Sequence, residues 1–170
     1  NPVLKIVLIL LITAASVSLP SGGLYKLMNY DRSFGFGVDT ADFPVNAVRF
    51  LKENNIVGQG SKPFNTYYCG GYLIWEIYGA YNFIDSRNID DEIYYSYKSM
   101  NYMQSSFEQK FDNYGFDYVL WFYPKLPLSA IELKTSIASY LIRKNDKWKL
   151  VYWDDNSLVF IKNNARNQEL

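Results

Sequence analysis

The sequence predicts an α/β fold: a small three-layer domain with a mostly parallel central sheet ending in an antiparallel hairpin, preceded by one N-terminal transmembrane-like helix. Three observations carry this. Short apolar runs alternate with stretches of helical periodicity, the pattern of strands joined by crossover helices. Tyr118 to Tyr123, YVLWFY, is apolar without a break, as in a central strand buried on both faces. Trp148 to Trp153 and Leu158 to Ile161 flank Asp154-Asp155-Asn156-Ser157, a hairpin signal.

Residues 1–20, NPVLKIVLILLITAASVSLP, open the chain, and from Val3 to Leu19 the only charge is Lys5. A membrane span needs about 20 apolar residues. Lys5 lies near the end of this one, where it can snorkel to the interface. Residues 3–19 are therefore expected to contact a membrane, as the last span of a larger protein. The initial Asn agrees with a piece cut from a longer chain. Two other readings stay open. Lys5, the core Ile6 to Ile12 and the small residues Ala14, Ala15 and Ser16 also fit a signal peptide, and a buried helix is the third. A span or a signal peptide would place the rest of the chain outside the cytoplasm, periplasmic or at the cell surface. Lys5 ahead of the helix agrees with the positive-inside rule.

Residues 21–41 read as a polar and aromatic linker, 42–163 as the α/β domain and 164–170 as a disordered tail. Asp39, Thr40 and Asp42 stand before Phe43-Pro44, suited to capping a helix whose apolar face is Ala47, Val48 and Leu51. Gly58, Gly60 and Pro63 mark a loop. Phe64 to Tyr68 reads as a strand, and Gly70-Gly71 opens a short helix carrying Tyr72, Leu73, Trp75, Ile77 and Tyr78, with Trp75 and its neighbours filling the core. Gly79 closes that helix. Tyr81 to Ile84 reads as a second strand. Asp90-Asp91-Glu92 starts a helix, acids suiting its positive end. Ile93, Tyr97, Met100, Met103, Phe107 and Phe111 keep helical spacing as far as Gly115. Ser129 and Glu132 form a capping box for a helix with Ala130, Leu133, Ile137 and Leu141 on one face.

The 17 basic residues balance the 17 acidic ones, with no basic stripe, so electrostatic binding of nucleic acid is not expected. There is no histidine, which removes Ser-His-Asp and Cys-His catalysis and the usual zinc sets. Cys69 is the single cysteine, so no internal disulfide forms. Sixteen tyrosines suit either an aromatic core or a surface for sugars, lipid interfaces or protein.

The stretch Asn65 to Arg87, NTYYCGGYLIWEIYGAYNFIDSR, holds the candidate ligand-binding residues: Asn65, Tyr67, Tyr68, Gly70, Gly71, Asp85 and Arg87. A strand followed by glycines and a helix is where parallel sheets bind ligands, and such a helix end suits an anion. The same glycines serve a tight turn with close packing, and neither nucleotide fingerprint is present. Cys69 is a nucleophile at a helix start or, more simply, a buried thiol. Asp85 and Arg87 bind a polar ligand at the sheet edge or pair to fix a loop. The carboxylates Asp90-Asp91-Glu92 and Asp154-Asp155 could hold a cation, but a helix start and a turn account for them. No catalytic residue, metal site or cofactor is expected in this chain.

One helix, a linker, then FPVNAVRFLKENN, FNTYYCGGYLIWEIY, NFIDSR and WKLVYWDDNSLVFIKN follow in that order. This string resembles the C-terminal soluble domain of polytopic GT-C-type membrane glycosyltransferases, enzymes similar to dolichyl-phosphate-mannose protein mannosyltransferases. The matching motifs lie at Pro44 to Leu51, Phe64 to Trp75, Ile84 to Arg87 and Leu150 to Asp155. Gly58 to Pro63, GQGSKP, departs from the pattern as a longer loop. The resemblance implies an extracytoplasmic, non-catalytic domain of an enzyme using lipid-phosphate-linked sugar. Its role would be to help bind a glycan or protein acceptor, or to cover the membrane-side active site. The family's catalytic acids lie in its membrane part, so none transfers to this chain. A secreted or membrane-anchored glycan- or protein-binding module is the alternative, and a free-standing enzyme using Cys69 or Asp85 is a third.

Overall fold

The YVLWFY run builds the middle of a sheet, and the rest of the fold is organised around it. The computed structural model describes residues 1–29, 36–58, 60–87, 90–123 and 134–164. The chain divides into two units, Asn1–Val38 and Asp39–Leu170.

The first unit holds α1 (Pro2–Ser18) and α2 (Gly23–Leu27). Asn1 caps α1, its side chain accepting from Val3 N at 3.1 Å. The stretch expected to be a linker thus carries one turn of helix. In α1, Val3, Leu4 and every residue from Ile6 to Ile12 are exposed. At about 1.5 Å per residue its 17 residues span about 26 Å, short of a hydrocarbon core of about 30 Å. Among the described residues no helix is long and apolar enough to cross a membrane.

The second unit contains β1 (Pro63–Asn65), β2 (Tyr118–Phe122), β3 (Trp148–Trp153) and β4 (Ser157–Lys162), in the order β1-β2-β4-β3. Its helices are α3 (Val45–Glu53), α4 (Gly70–Glu76), α5 (Asp91–Asn101), α6 (Phe107–Tyr114) and α7 (Ile137–Arg143). Every residue of β2 is buried, as its apolar run predicts. Alternation sends Tyr118, Leu120 and Phe122 to one face, with Val159 and Ile161 of β4, against Ala47, Val48 and Leu51 of α3 and Tyr72 and Leu73 of α4. Val119 and Trp121 face the other way with Phe64 and Phe160. They meet Met100 of α5, Phe111 of α6 and Ile137 and Leu141 of α7. Helices therefore cover both faces, and burying each such side chain contributes about 1.5–3 kcal/mol.

The sheet is mixed, not mostly parallel. β1 and β2 are parallel, whereas β2 with β4 and β3 with β4 are antiparallel. The closing hairpin is as expected, with a bulge between Leu150 and Tyr152. The expected strand Tyr81 to Ile84 does not form: Asn65 takes its hydrogen bonds instead. Phe83 N donates to Asn65 Oδ1 at 2.7 Å and Asn65 Nδ2 donates to Ile84 O at 2.7 Å. A buried side-chain amide here replaces a strand partner.

Three further expectations are corrected. β1 ends at Asn65, because the chain turns at Thr66, whose O accepts from Cys69 N at 3.1 Å. The long helix from Asp90 to Gly115 is two helices, broken where Met103 and Ser106 take left-handed φ of 50° and 63°. The N-cap of α3 is Pro44, which makes no side-chain cap bond, and Asp39 Oδ1 accepts from Ala41 N in the preceding turn. Asp90 does cap α5 and Gly115 does close α6 in the left-handed region. The capping box at 129–132 and nearly all of the tail lie outside the described residues.

Candidate functional site

The carboxyl end of the parallel β1/β2 pair is where a ligand crevice is expected in such a sheet. Asn65, the last residue of β1, is fully buried and clamps Phe83 and Ile84. The chain then returns along Gly70, and nothing larger than glycine fits there. A Cβ on Gly70 would stand 2.0 Å from Ile84 O, 2.8 Å from Asn65 Nδ2 and 3.0 Å from Asp85 Cβ. A Cβ on Gly71 would meet nothing within 4 Å. The double glycine is therefore asymmetric: the first position packs against segment 82–87 and the second faces open space.

This clamp presents Asp85. Its side chain is 7% exposed and accepts from Asn82 Nδ2 at 2.7 Å, Arg87 N at 2.9 Å, Arg87 Nε at 2.9 Å and Arg87 Nη2. The Arg87 hydrogen bond holds the Asp85 carboxyl well below the usual carboxylate range, against the opposing effect of burial. In return, Arg87 is pushed up by Asp85. An acid this well satisfied stays ionised at neutral pH and makes a poor general base. The two side chains pair with each other within segment 82–87.

Around the pair lies a cleft of about 370 Å³, lined by Asn82, Phe83, Asp85, Arg87, Asp90 and Ile93, with Ile84 behind. The Arg87 side chain is 60% exposed. Tyr67 ties to the same segment, its hydroxyl donating to Ser86 O at 3.3 Å and its ring edge-on to Tyr68 and Tyr94. A second groove, about 690 Å³, runs along Val57, Gly58, Ile77, Tyr78 and Tyr81, and none of its described lining residues is charged.

Of the seven candidates, Asp85 and Arg87 line the cleft, and Tyr67 bonds to Ser86 O between them. Asn65 and Gly70 are buried beneath as support. Tyr68 is exposed, beside Tyr67, and Gly71 is exposed on α4. Sequence reasoning missed Asn82 as a cleft residue and read Asp90 only as a helix start or cation ligand. The Asn82-to-Asp85 spacing was the available signal. Trp75, expected in the core, is 68% exposed on α4, because Tyr72 and Leu73 take the inward positions.

Cys69 is fully buried, its Sγ donating to Thr66 O at 3.2 Å. Burial pushes the thiol up to about 12, which leaves it protonated and unreactive. Among the described residues no group of three His, Cys, Asp or Glu side chains gathers to hold a metal. In the turn, Asp154 accepts from Tyr152 Oη at 2.7 Å and Asn156 N at 3.0 Å.

The cleft combines a paired carboxylate and guanidinium with the half-buried Asn82 amide, the exposed Asp90 carboxylate and an apolar wall of Phe83, Ile84 and Ile93. Set against known proteins, the chain matches no family model and no curated relative.

Proposed function

We propose that the chain is a non-catalytic binding domain held at a membrane, serving the membrane part of a glycosyltransferase that uses lipid-phosphate-linked sugar. The observation that supports membrane attachment is α1. Its large apolar side chains are exposed on every face, so one protein groove would cover only part of them. Two of its three hydroxyls are satisfied within the helix, Thr13 Oγ1 donating to Ile9 O at 2.8 Å and Ser18 Oγ to Ala15 O at 3.0 Å. Lipid demands that internal satisfaction. Support for the glycosyltransferase comes from the motif string at 44–51, 64–75, 84–87 and 150–155. The cleft and its locked ion pair favour a role in binding acceptor over one in bond cleavage.

Flotation of the full chain with phosphatidylcholine vesicles tests the attachment. The chain is expected to float, and Ile9→Arg to weaken partitioning by about a hundredfold, the cost of about 2.5–3.5 kcal/mol for a charge at mid-helix. A chain that stays monomeric in the aqueous fraction refutes membrane attachment. The native reading frame around the chain tests the enzyme: further apolar spans support it and their absence refutes it.

A further inference from the structure

We propose that the Asp85–Arg87 cleft is a site for a neutral, polyhydroxylated ring, a sugar carrying no charged substituent. This rests on the reading of the globular unit as a binding domain and names what it binds. The argument is an inventory of polar edges. Asp85 is saturated: both its oxygens accept hydrogen bonds from Asn82 or Arg87, so it offers a ligand nothing and serves to aim the guanidinium. Three edges remain. Arg87 engages Asp85 through Nε and Nη2, and its Nη1 donors make no hydrogen bond among the described residues. Asn82 uses Nδ2 on Asp85, which leaves its Oδ1 as an acceptor. Asp90 caps α5 through Oδ1, accepting from Glu92 N at 2.8 Å and Ile93 N at 3.2 Å, which leaves Oδ2.

Among the described residues the cleft thus offers two acceptors and one cationic donor group around an apolar floor of Phe83, Ile84 and Ile93. Hydroxyls, which donate and accept, match that mixture; a purely accepting or purely donating group does not. Charge separates the classes further. The described lining holds two carboxylates, Asp85 and Asp90, and one guanidinium, so a phosphate or a sugar acid meets an excess of negative charge, and an amine meets the guanidinium. The apolar floor suits the C–H face of a ring, and the volume of about 370 Å³ falls within the range of small-molecule pockets, about 300–1,000 Å³.

The test titrates the full chain in lipid nanodiscs, by NMR, with glucose, mannose and N-acetylglucosamine, with mannose 1-phosphate as the anionic arm and glucosamine as the cationic one. At least one neutral sugar is expected to saturate with Kd about 1–10 mM and to shift the Asn82 side-chain amide and Arg87 Nε signals. Asp90→Ser keeps a capping hydroxyl and removes the free carboxylate oxygen. It and Arg87→Gln are each expected to weaken binding at least about fivefold, with Arg87→Lys recovering part of the loss. Thermal unfolding checks each variant, and Asp90→Ser carries the test if Arg87→Gln does not fold. The proposal is overturned if no neutral sugar shifts those signals, if mannose 1-phosphate or glucosamine binds about tenfold tighter than any neutral sugar, or if a folded Asp90→Ser binds unchanged. Sugar binding that maps to the Tyr78–Tyr81 groove overturns this site and leaves the binding-domain reading standing. Flotation decides membrane attachment separately.

Discussion

Replacing Gly70 by alanine probes the joint on which the cleft depends. Its φ is not in the left-handed region, so an alanine meets no backbone strain there, and α4 should gain about 1 kcal/mol in helix propensity. Space decides otherwise. The new Cβ would lie 2.0 Å from Ile84 O, where ordinary contact begins at 3.4 Å, so segment 83–85 must withdraw by roughly 1.4 Å. That displacement breaks the two bonds of 2.7 Å between Asn65 and the backbone of Phe83 and Ile84. Each buried group left unpaired costs about 1–3 kcal/mol. For the two bonds that is about 2–6 kcal/mol, and less the helix gain Gly70→Ala should cost about 1–5 kcal/mol. Gly71→Ala, with nothing within 4 Å, should be neutral or stabilising by up to about 1 kcal/mol. Urea unfolding followed by tryptophan fluorescence measures both. The double variant with Asn65→Ala should cost less than the sum of the singles by at least about 1 kcal/mol, since both remove the same bonds. Gly70→Ala within about 0.5 kcal/mol of the parent, or strict additivity with Asn65→Ala, would refute the reasoning.

Two further outcomes follow from the buried groups. Cys69, raised from 9.0 to about 12, should react with a thiol reagent at pH 8 about a thousandfold more slowly in the native state than in urea; comparable rates would mean that the thiol is open to solvent. Asp85 has a folded-state pKa below its ordinary 3.8, so the stability it contributes is present above that value and is lost as pH falls through it towards the native pKa. Asp85→Asn should therefore be less stable at neutral pH and show a flatter loss of stability from about pH 4 to pH 2, read from urea midpoints across that range.

Some of this protein was readable from local pattern alone. The unbroken run YVLWFY could satisfy its apolar side chains only between two layers, and β2 is buried along its whole length. The Asp-Asp-Asn-Ser turn between two apolar runs returns the chain on itself, and β3 and β4 pair there. Asp90 and Gly115 mark helix ends by chemistry that acts within a few residues. What stayed hidden depends on partners far apart in sequence. Tyr81 to Ile84 is as apolar as a strand, yet Asn65, some eighteen residues earlier, supplies its hydrogen bonds from a side chain. The break between α5 and α6 leaves helical spacing intact in the sequence, because Ile93, Tyr97, Met100, Met103, Phe107 and Phe111, on both sides of it, all pack into one core cluster. Gly70 and Gly71 are identical in sequence and opposite in consequence, since only the fold brings Ile84 against the first. The cleft is the same case: sequence singled out Asp85 and Arg87 as a polar pair two residues apart, but it took the return of segment 82–87 under β1 to lock that pair and to set Asn82 and Asp90 beside it.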